Sequence, residues 1–337
     1  MADIAQACGV SKASVSLALS GSVQISETLR ERILAKADEL GYRRDPALGS
    51  LNAYRWGGKR HHSVNLGYLY CGGEQARSAN LCIEPALELA KTLGYAMEAF
   101  DTLDFTDGAH LARVLEARGI GGLVFGPWRE PDYLRKFPWK RFTSLNLNVG
   151  EWNPPVHTVA YDAFRDTAIA LEHLRRAGAQ KVGLALVVDA RPTPSDEFSF
   201  AAARHANEPL RPDCRVATRV QQFARASWTD ELLTWVCEEA LDGIIVPDEG
   251  FAEVLEAGGY RIPDRLKVIV AALSSEKSGW SGFQRPREQI CMRGLHWLDR
   301  MIRRNECGLP QRPELLFVPS AWVPGNSIGP PSTNDNG

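Results

Sequence analysis

From residue 64 onward, short apolar runs alternate with longer amphipathic stretches. Runs at 64–70, 95–100, 122–125, 142–147 and 157–160 predict one set of strands, and runs at 181–188, 216–223, 243–246 and 267–272 predict a second. Between them, 82–93, 109–118, 163–177, 230–240, 251–257 and 286–304 repeat their apolar residues at helical period. Strands separated by helices of this length imply parallel sheets covered on both faces. Two sets imply two doubly wound α/β lobes, with the chain crossing between them near 161, 282 and 322. Ligands in such folds lie at the carboxyl ends of strands, in the cleft between lobes.

The first 54 residues follow a different, all-helical pattern. Asp3-Ile4-Ala5-Gln6-Ala7-Cys8 predicts a short helix burying Ile4, Ala5 and Cys8. Gly9 suits a tight turn because it tolerates positive φ. Ser11 is placed to cap the next helix, in which Val15, Ala18 and Leu19 share one face and Lys12, Ala13, Ser16 and Leu17 the other. A third helix runs from about Ser26 to a stop at Gly41, with Leu29, Ile33, Ala37 and Leu40 at helical period closing the core. Two short helices, a glycine turn and a partly polar outer face make a helix-turn-helix, whose second helix enters the major groove.

Asp3-Ile4-Ala5, Gly9-Val10-Ser11-Lys12-Ala13-Ser14-Val15-Ser16, Leu19-Ser20-Gly21, Ile25-Ser26, Arg30-Glu31-Arg32-Ile33 and Leu40-Gly41-Tyr42 stand in one order and spacing. In them the chain resembles the lactose-repressor (LacI/GalR) family of bacterial transcription regulators. The resemblance continues through the body, in Leu174-Arg175-Arg176-Ala177-Gly178, Asp248-Glu249-Gly250-Phe251-Ala252 and the closing Ala321-Trp322-Val323 strand. It implies a body similar to periplasmic sugar-binding proteins and an operator contacted by Ser11, Lys12, Ala13, Ser14, Ser16 and Leu17. It also implies a hinge helix at Pro46–Leu51, where Ser50 contacts DNA and Leu51 wedges into the minor groove. Such wedging unstacks a base step at a cost of roughly a few kcal/mol. The organisation it implies is a DNA-binding domain at 1–45, hinge and linker at 46–62, an effector-binding and dimerisation body at 63–328, and a disordered tail at 329–337. Leu87, Leu93 and the apolar residues of 291–302 are candidates for the dimer contact.

The chain departs from the family in places that carry chemistry. Leu17 stands where many members have a polar or basic groove-reading residue, so it is suited to a thymine methyl instead. Gly49 stands where arginine is common, weakening the hinge helix. The first helix begins without the usual few preceding residues and their capping threonine. In the body, Ser195-Asp196-Glu197-Phe198-Ser199-Phe200-Ala201 replaces a stretch that often holds arginine followed by Gly-Phe. Leu273-Ser274-Ser275 replaces a common Phe-Asp-Asp. Two usual sugar-hydroxyl partners are therefore missing. Either the effector is not an ordinary pyranose or the pocket has lost its ligand.

Strand-end residues are the effector-site candidates: Trp128, Asn146, Asn148, Asp162, Arg191, Asp248 and Gln284. A tryptophan face stacks on a flat apolar surface, and Asn, Asp and Arg fix hydroxyl or acid groups. Asp162 is the weakest of these, since an Asp before a helix often serves only as its N-cap.

Charge adds a modest asymmetry. The 337 residues hold 39 Lys/Arg and 41 Asp/Glu, but residues 1–60 hold nine and six. A basic head on an acidic body fits nucleic-acid contact through the head. The seven cysteines show no zinc-ligand spacing and most read as buried thiols. No apolar run approaches membrane length and no signal-peptide profile opens the chain, which points to a soluble cytoplasmic protein.

The leading expectation is a sequence-specific regulator, a repressor binding a palindromic operator as a homodimer and modulated by a small molecule, with carbohydrate as the first candidate class. A regulator governed by a protein partner through a degenerate cleft is the alternative. An enzyme is the third reading, and no catalytic, metal or cofactor motif supports it. The seven histidines are scattered, and Cys71-Gly72-Gly73 lacks the third glycine and ribose carboxylate of a dinucleotide turn.

Overall fold

The computed structural model describes residues 2–19, 26–39, 65–72, 82–126, 134, 137–148, 154–188, 193–208, 216–224 and 228–330. These divide into two units, residues 1–61 and 62–337.

In the first unit, α1 (Ala2–Cys8), α2 (Lys12–Leu19) and α3 (Glu27–Glu39) enclose Ile4, Ala5, Val15, Ala18, Ile33 and Ala37. Cys8, Val10 and Leu29 pack against that core half-buried. The turn between α1 and α2 puts Gly9 at φ +63°, in the left-handed region where a side chain is strained. Ser11 accepts a hydrogen bond from the Ser14 amide at 3.0 Å, capping α2 as its position predicts. Arg32 of α3 donates to the Cys8 carbonyl at 2.9 Å, satisfying one orphan acceptor at the end of α1. Leu40 and Gly41 lie outside the described residues, as do Ser50, Leu51, the linker and the segment 331–337; so do the side chains of Ala13, Ser16, Leu17 and Leu19.

The second unit has two lobes. Lobe one holds β1 (Asn65–Tyr70), α4 (Ile83–Thr92), β2 (Met97–Asp101), α5 (Gly108–Ala117), β3 (Ile120–Phe125), β4 (Thr143–Leu147) and β5 (His157–Tyr161). Lobe two holds α6 (Ala163–Arg176), β6 (Lys181–Val188), α7 (Pro194–Asn207), β7 (Ala217–Ala224), α8 (Trp228–Glu238), β8 (Gly243–Val246), α9 (Glu249–Ala257), β9 (Lys267–Val270) and β10 (Gly282–Gln284). The chain then returns through α10 (Arg287–Arg303) and β11 (Leu315–Val318) to lobe one, and ends in lobe two with β12 (Ala321–Val323).

Sheet one runs β11-β5-β4-β3-β1-β2 and is parallel throughout. Sheet two runs β12-β10-β9-β8-β6-β7, and all its pairs are parallel except β10 with β12. Both faces of each sheet are covered. In lobe one, α4 and α10 bury Ile83, Ala86, Leu295 and Leu298 on one face, while α5 buries Leu111 and Leu115 on the other. In lobe two, α8 and α9 cover one face with Leu232, Val236 and Leu255, and α6 and α7 the other with Leu171, Leu174 and Ala203. Each of the leucine, isoleucine and valine side chains among these contributes roughly 1.5–3 kcal/mol by leaving water. Gly294 lets α10 lie directly on β4, because a Cβ there would collide with Leu147.

The crossings fall at 162, 285–286 and 319–320, close to the predicted 161, 282 and 322. Strands β10 and β11 were not predicted from the pattern; three and four residues are too short for periodicity to register. The α10 stripe offered for dimer contact is largely core: Cys291, Leu295 and Leu298 are buried, Trp297 and Ile302 half-buried, and only Met292 is exposed. Leu87 and Leu93 likewise pack half-buried against the lobe-one core.

Candidate DNA-reading face and inter-lobe cleft

Among the described side chains of the head, Ile4, Ala5, Val15, Ala18, Ile33 and Ala37 lie inside, while Leu34 is exposed along with most of the polar ones. Ser11 and Lys12, at the start of α2, are exposed, and Ser14 is half-buried with its hydroxyl 2.9 Å from that of Ser11. A helix whose first turn presents hydroxyls and an ammonium, held by a small core behind it, suits entry into a groove lined by phosphates.

In the body, the predicted cleft residues meet different fates. Asn146, at the end of β4, is fully buried and donates from Nδ2 to the Asn148 carbonyl at 2.6 Å. Asn148 adopts φ +64°, a conformation asparagine tolerates, and donates from Nδ2 to Cys82 Sγ at 3.4 Å. Its Oδ1 is buried without a hydrogen-bond partner. The structure therefore joins these two asparagines at the N-terminal end of α4.

The two aspartates are helix caps. Asp162 accepts from the Arg165 amide at 3.0 Å, and Asp248, which is exposed, accepts from the Gly250 amide at 3.0 Å. Each spends a carboxylate oxygen on an orphan N–H of its own helix. Trp128 and Arg191 lie outside the described residues. Gln284 lines a cavity of about 590 Å³ together with Ser274, Arg285 and Arg287. Leu273, Pro319 and Ala321 share the same wall, so this cavity sits where two of the three crossings meet the end of β9.

Sequence reasoning missed the groups that gather around it. The Arg285 guanidinium lies 4.5 Å over the Tyr161 ring, linking two crossings. Asp166, one turn into α6, is buried and accepts from Ser320 Oγ at 2.5 Å, linking the third. Burial raises its pKa to about 6, against the lowering effect of the Ser320 bonds and Arg285. A small void of about 40 Å³ lies among Tyr161, Asp166, Thr167, Ser199 and Arg285. Thr167 donates to Ser199 across it at 3.0 Å. Beside the Asn148 pair, contact with the Cys291 thiol chiefly holds Cys82 below its ordinary pKa, against burial and with help from Arg287, Asn148 and Arg285. No sequence spacing announces this set, because its members come from three separate crossings, with Ser320 standing 154 residues from the Asp166 it bonds. Among the described residues no group of three His, Cys, Asp or Glu could hold a metal ion.

Comparison with known proteins fits this geometry. Residues 1–45 match the model of the "Bacterial regulatory proteins, lacI family". The chain is also 30% identical over 190 residues to the maltose regulon regulatory protein MalI of Escherichia coli K12, covering 53% of this chain and 51% of that protein. It thus spans about half the length of the curated relative it matches. Among solved structures it is similar to the lac repressor dimer bound to operator and the anti-inducer ONPF, with a TM-score of 0.58 and 16% identity over 97% of this chain and 98% of that one. The CelR–cellobiose complex is similar at a TM-score of 0.60 and 14% identity, over 96% and 98%. A lacI-family regulator of Enterococcus faecium with bound ribose is similar at 0.61 and 15%, over 80% and 100%. At these identities the likeness establishes the fold alone, a two-lobed α/β body like those of the similar structures.

Proposed function

We propose that this chain is a sequence-specific transcription repressor that binds a palindromic operator as a homodimer and is modulated by a small molecule in the inter-lobe cleft. The observation that carries the reading is the lacI-family domain at residues 1–45, whose α2 begins with Ser11 as its cap and Lys12 exposed. Residues 1–45 then read DNA, 46–62 form the hinge with Ser50 and Leu51 against the minor groove, and 63–328 bind effector and hold the dimer. The similar proteins of known structure were captured with operator or sugar, which supports the same division here. Effector binding that shifts the lobes would change operator affinity by a coupling of typically 1–3 kcal/mol.

Among the described residues no helix is long and apolar enough to cross a membrane, which supports a cytoplasmic protein working on DNA. The proteins it matches are regulators rather than enzymes, and the buried polar groups at the crossings hold one another instead of presenting a nucleophile and base. Selection of random duplex DNA on the purified chain, followed by titration at several salt concentrations, tests the reading. A palindromic consensus bound far above random duplex is expected. Uniform, salt-sensitive binding to every duplex would refute it.

A further inference from the structure

The crossover cavity is lined by two guanidiniums, and the one buried carboxylate that feels Arg285, Asp166, faces the small void behind it and does not line this cavity. Arg285 and Arg287 both line it, and among the described residues neither takes part in an ion pair. Arg285 is held in place over the Tyr161 ring, and its Nε is buried without a hydrogen-bond partner. A buried donor left unpaired costs roughly 1–3 kcal/mol, and more on a charged group.

The two cations are close enough to oppose each other: burial first, and Arg285 next, lower the pKa of Arg287. Two carboxylates, Glu276 and Glu288, also line the cavity, but both are exposed while the arginines are half-buried. The exposed pair is screened by water more than the half-buried pair is. At the end of β9, Leu273 and Ser274 bring no negative charge to the same wall. The volume of about 590 Å³ is that of a small-molecule site.

We propose that the effector is a small organic anion, a sugar acid or a phosphorylated sugar, whose carboxylate or phosphate binds Arg285 and Arg287 while its hydroxyls meet Gln284 and Ser274. The fork of a guanidinium matches both oxyanions, which is why arginine and not lysine suits the site. This inference rests on the effector-cleft reading above and names the ligand class within it.

The test is melting and calorimetric titration of the full chain against hexoses and pentoses. Each is offered as the neutral sugar, the uronate or aldonate, and the phosphate ester. Inorganic phosphate and sodium chloride at matched ionic strength are the controls. An anionic member should raise the melting temperature where its neutral parent does not, and the carboxylate and phosphate arms identify which anion is recognised. Arg287→Gln should weaken that binding roughly ten- to a hundredfold while the ligand-free melting temperature stays put. Arg285→Gln should weaken the binding as well, with a lower ligand-free melting temperature because the Tyr161 contact is lost with it, and Arg287→Lys should restore binding only in part.

A neutral sugar that binds as tightly as its anionic counterpart overturns the inference. So does affinity unchanged in both glutamine variants, an effect reproduced by sodium chloride, or silence across the whole panel. Duplex binding measured on the same preparation separates the two claims. A neutral effector that shifts duplex binding leaves the regulator standing and removes the anion. Loss of sequence-specific duplex binding alongside intact anion binding does the reverse.

Discussion

The head and the crossover region of the body place their polar chemistry on opposite sides of their cores. In the head, six small or branched apolar residues fill the interior, and Ser11 and Lys12 stand in solvent. At the crossings, Asp166 and Asn146 are themselves buried, and Arg285 is pinned between an aromatic ring and the cavity it lines. The head can therefore change the side chains on its outer face without disturbing its fold. The crossing region cannot change its polar groups without altering how the lobes are tied. The difference predicts which substitutions separate function from stability.

The largest effect should come from breaking the head's core. Ile33 is fully buried among only a handful of partners, so Ile33→Ala should cost about 2–5 kcal/mol. Duplex binding should vanish while the body's melting transition, followed by calorimetry, stays where it was. A body transition that moves as well would show that the two units do not fold independently.

Next comes Asp166, whose pKa stands at about 6 instead of its ordinary value. A folded acid with a raised pKa binds its proton more tightly than the unfolded chain does. Its contribution to stability is thus complete below pH 4 and is lost as pH rises through 6, amounting to roughly 2–3 kcal/mol. Asp166→Asn should flatten that part of the body's stability–pH curve; an unchanged slope would assign the titration elsewhere.

Lys12→Ala addresses the head's outer face. It should leave the melting temperature within error and make the salt dependence of duplex binding shallower by about one unit per head. Equal loss on the selected duplex and on random duplex would mark a phosphate contact, and loss confined to the selected duplex a base contact. Smallest of all should be the caps. Ser11→Ala and Asp162→Ala should each cost about 1 kcal/mol. Asp162→Ala should leave effector affinity unchanged, because the carboxylate is already engaged with the Arg165 amide.

What the sequence disclosed follows the same division. The head was legible down to its cap and its glycine turn, since helices, caps and positive φ are set by residues within four positions of one another. The long strands and both lobes were legible for a similar reason: runs such as Val182–Leu186 are buried on both faces and read as continuous apolar blocks. The site was not. Tyr161, Asp166, Arg285 and Ser320 come together because three crossings converge, and Ser320 stands 154 residues from the aspartate it bonds. Strand-end reasoning names Asn146, Asn148 and Gln284, which the structure places on regular strands or just past them. It chose Asp162 and Asp248, whose carboxylates the structure commits to helix N-termini.

The most direct measurement of the central claim is a chemical footprint of the full chain on a duplex recovered by selection. Two protected half-sites related by a twofold axis are expected, their centres about one helical turn apart. A single protected half-site, or protection spread evenly along the duplex, would contradict it.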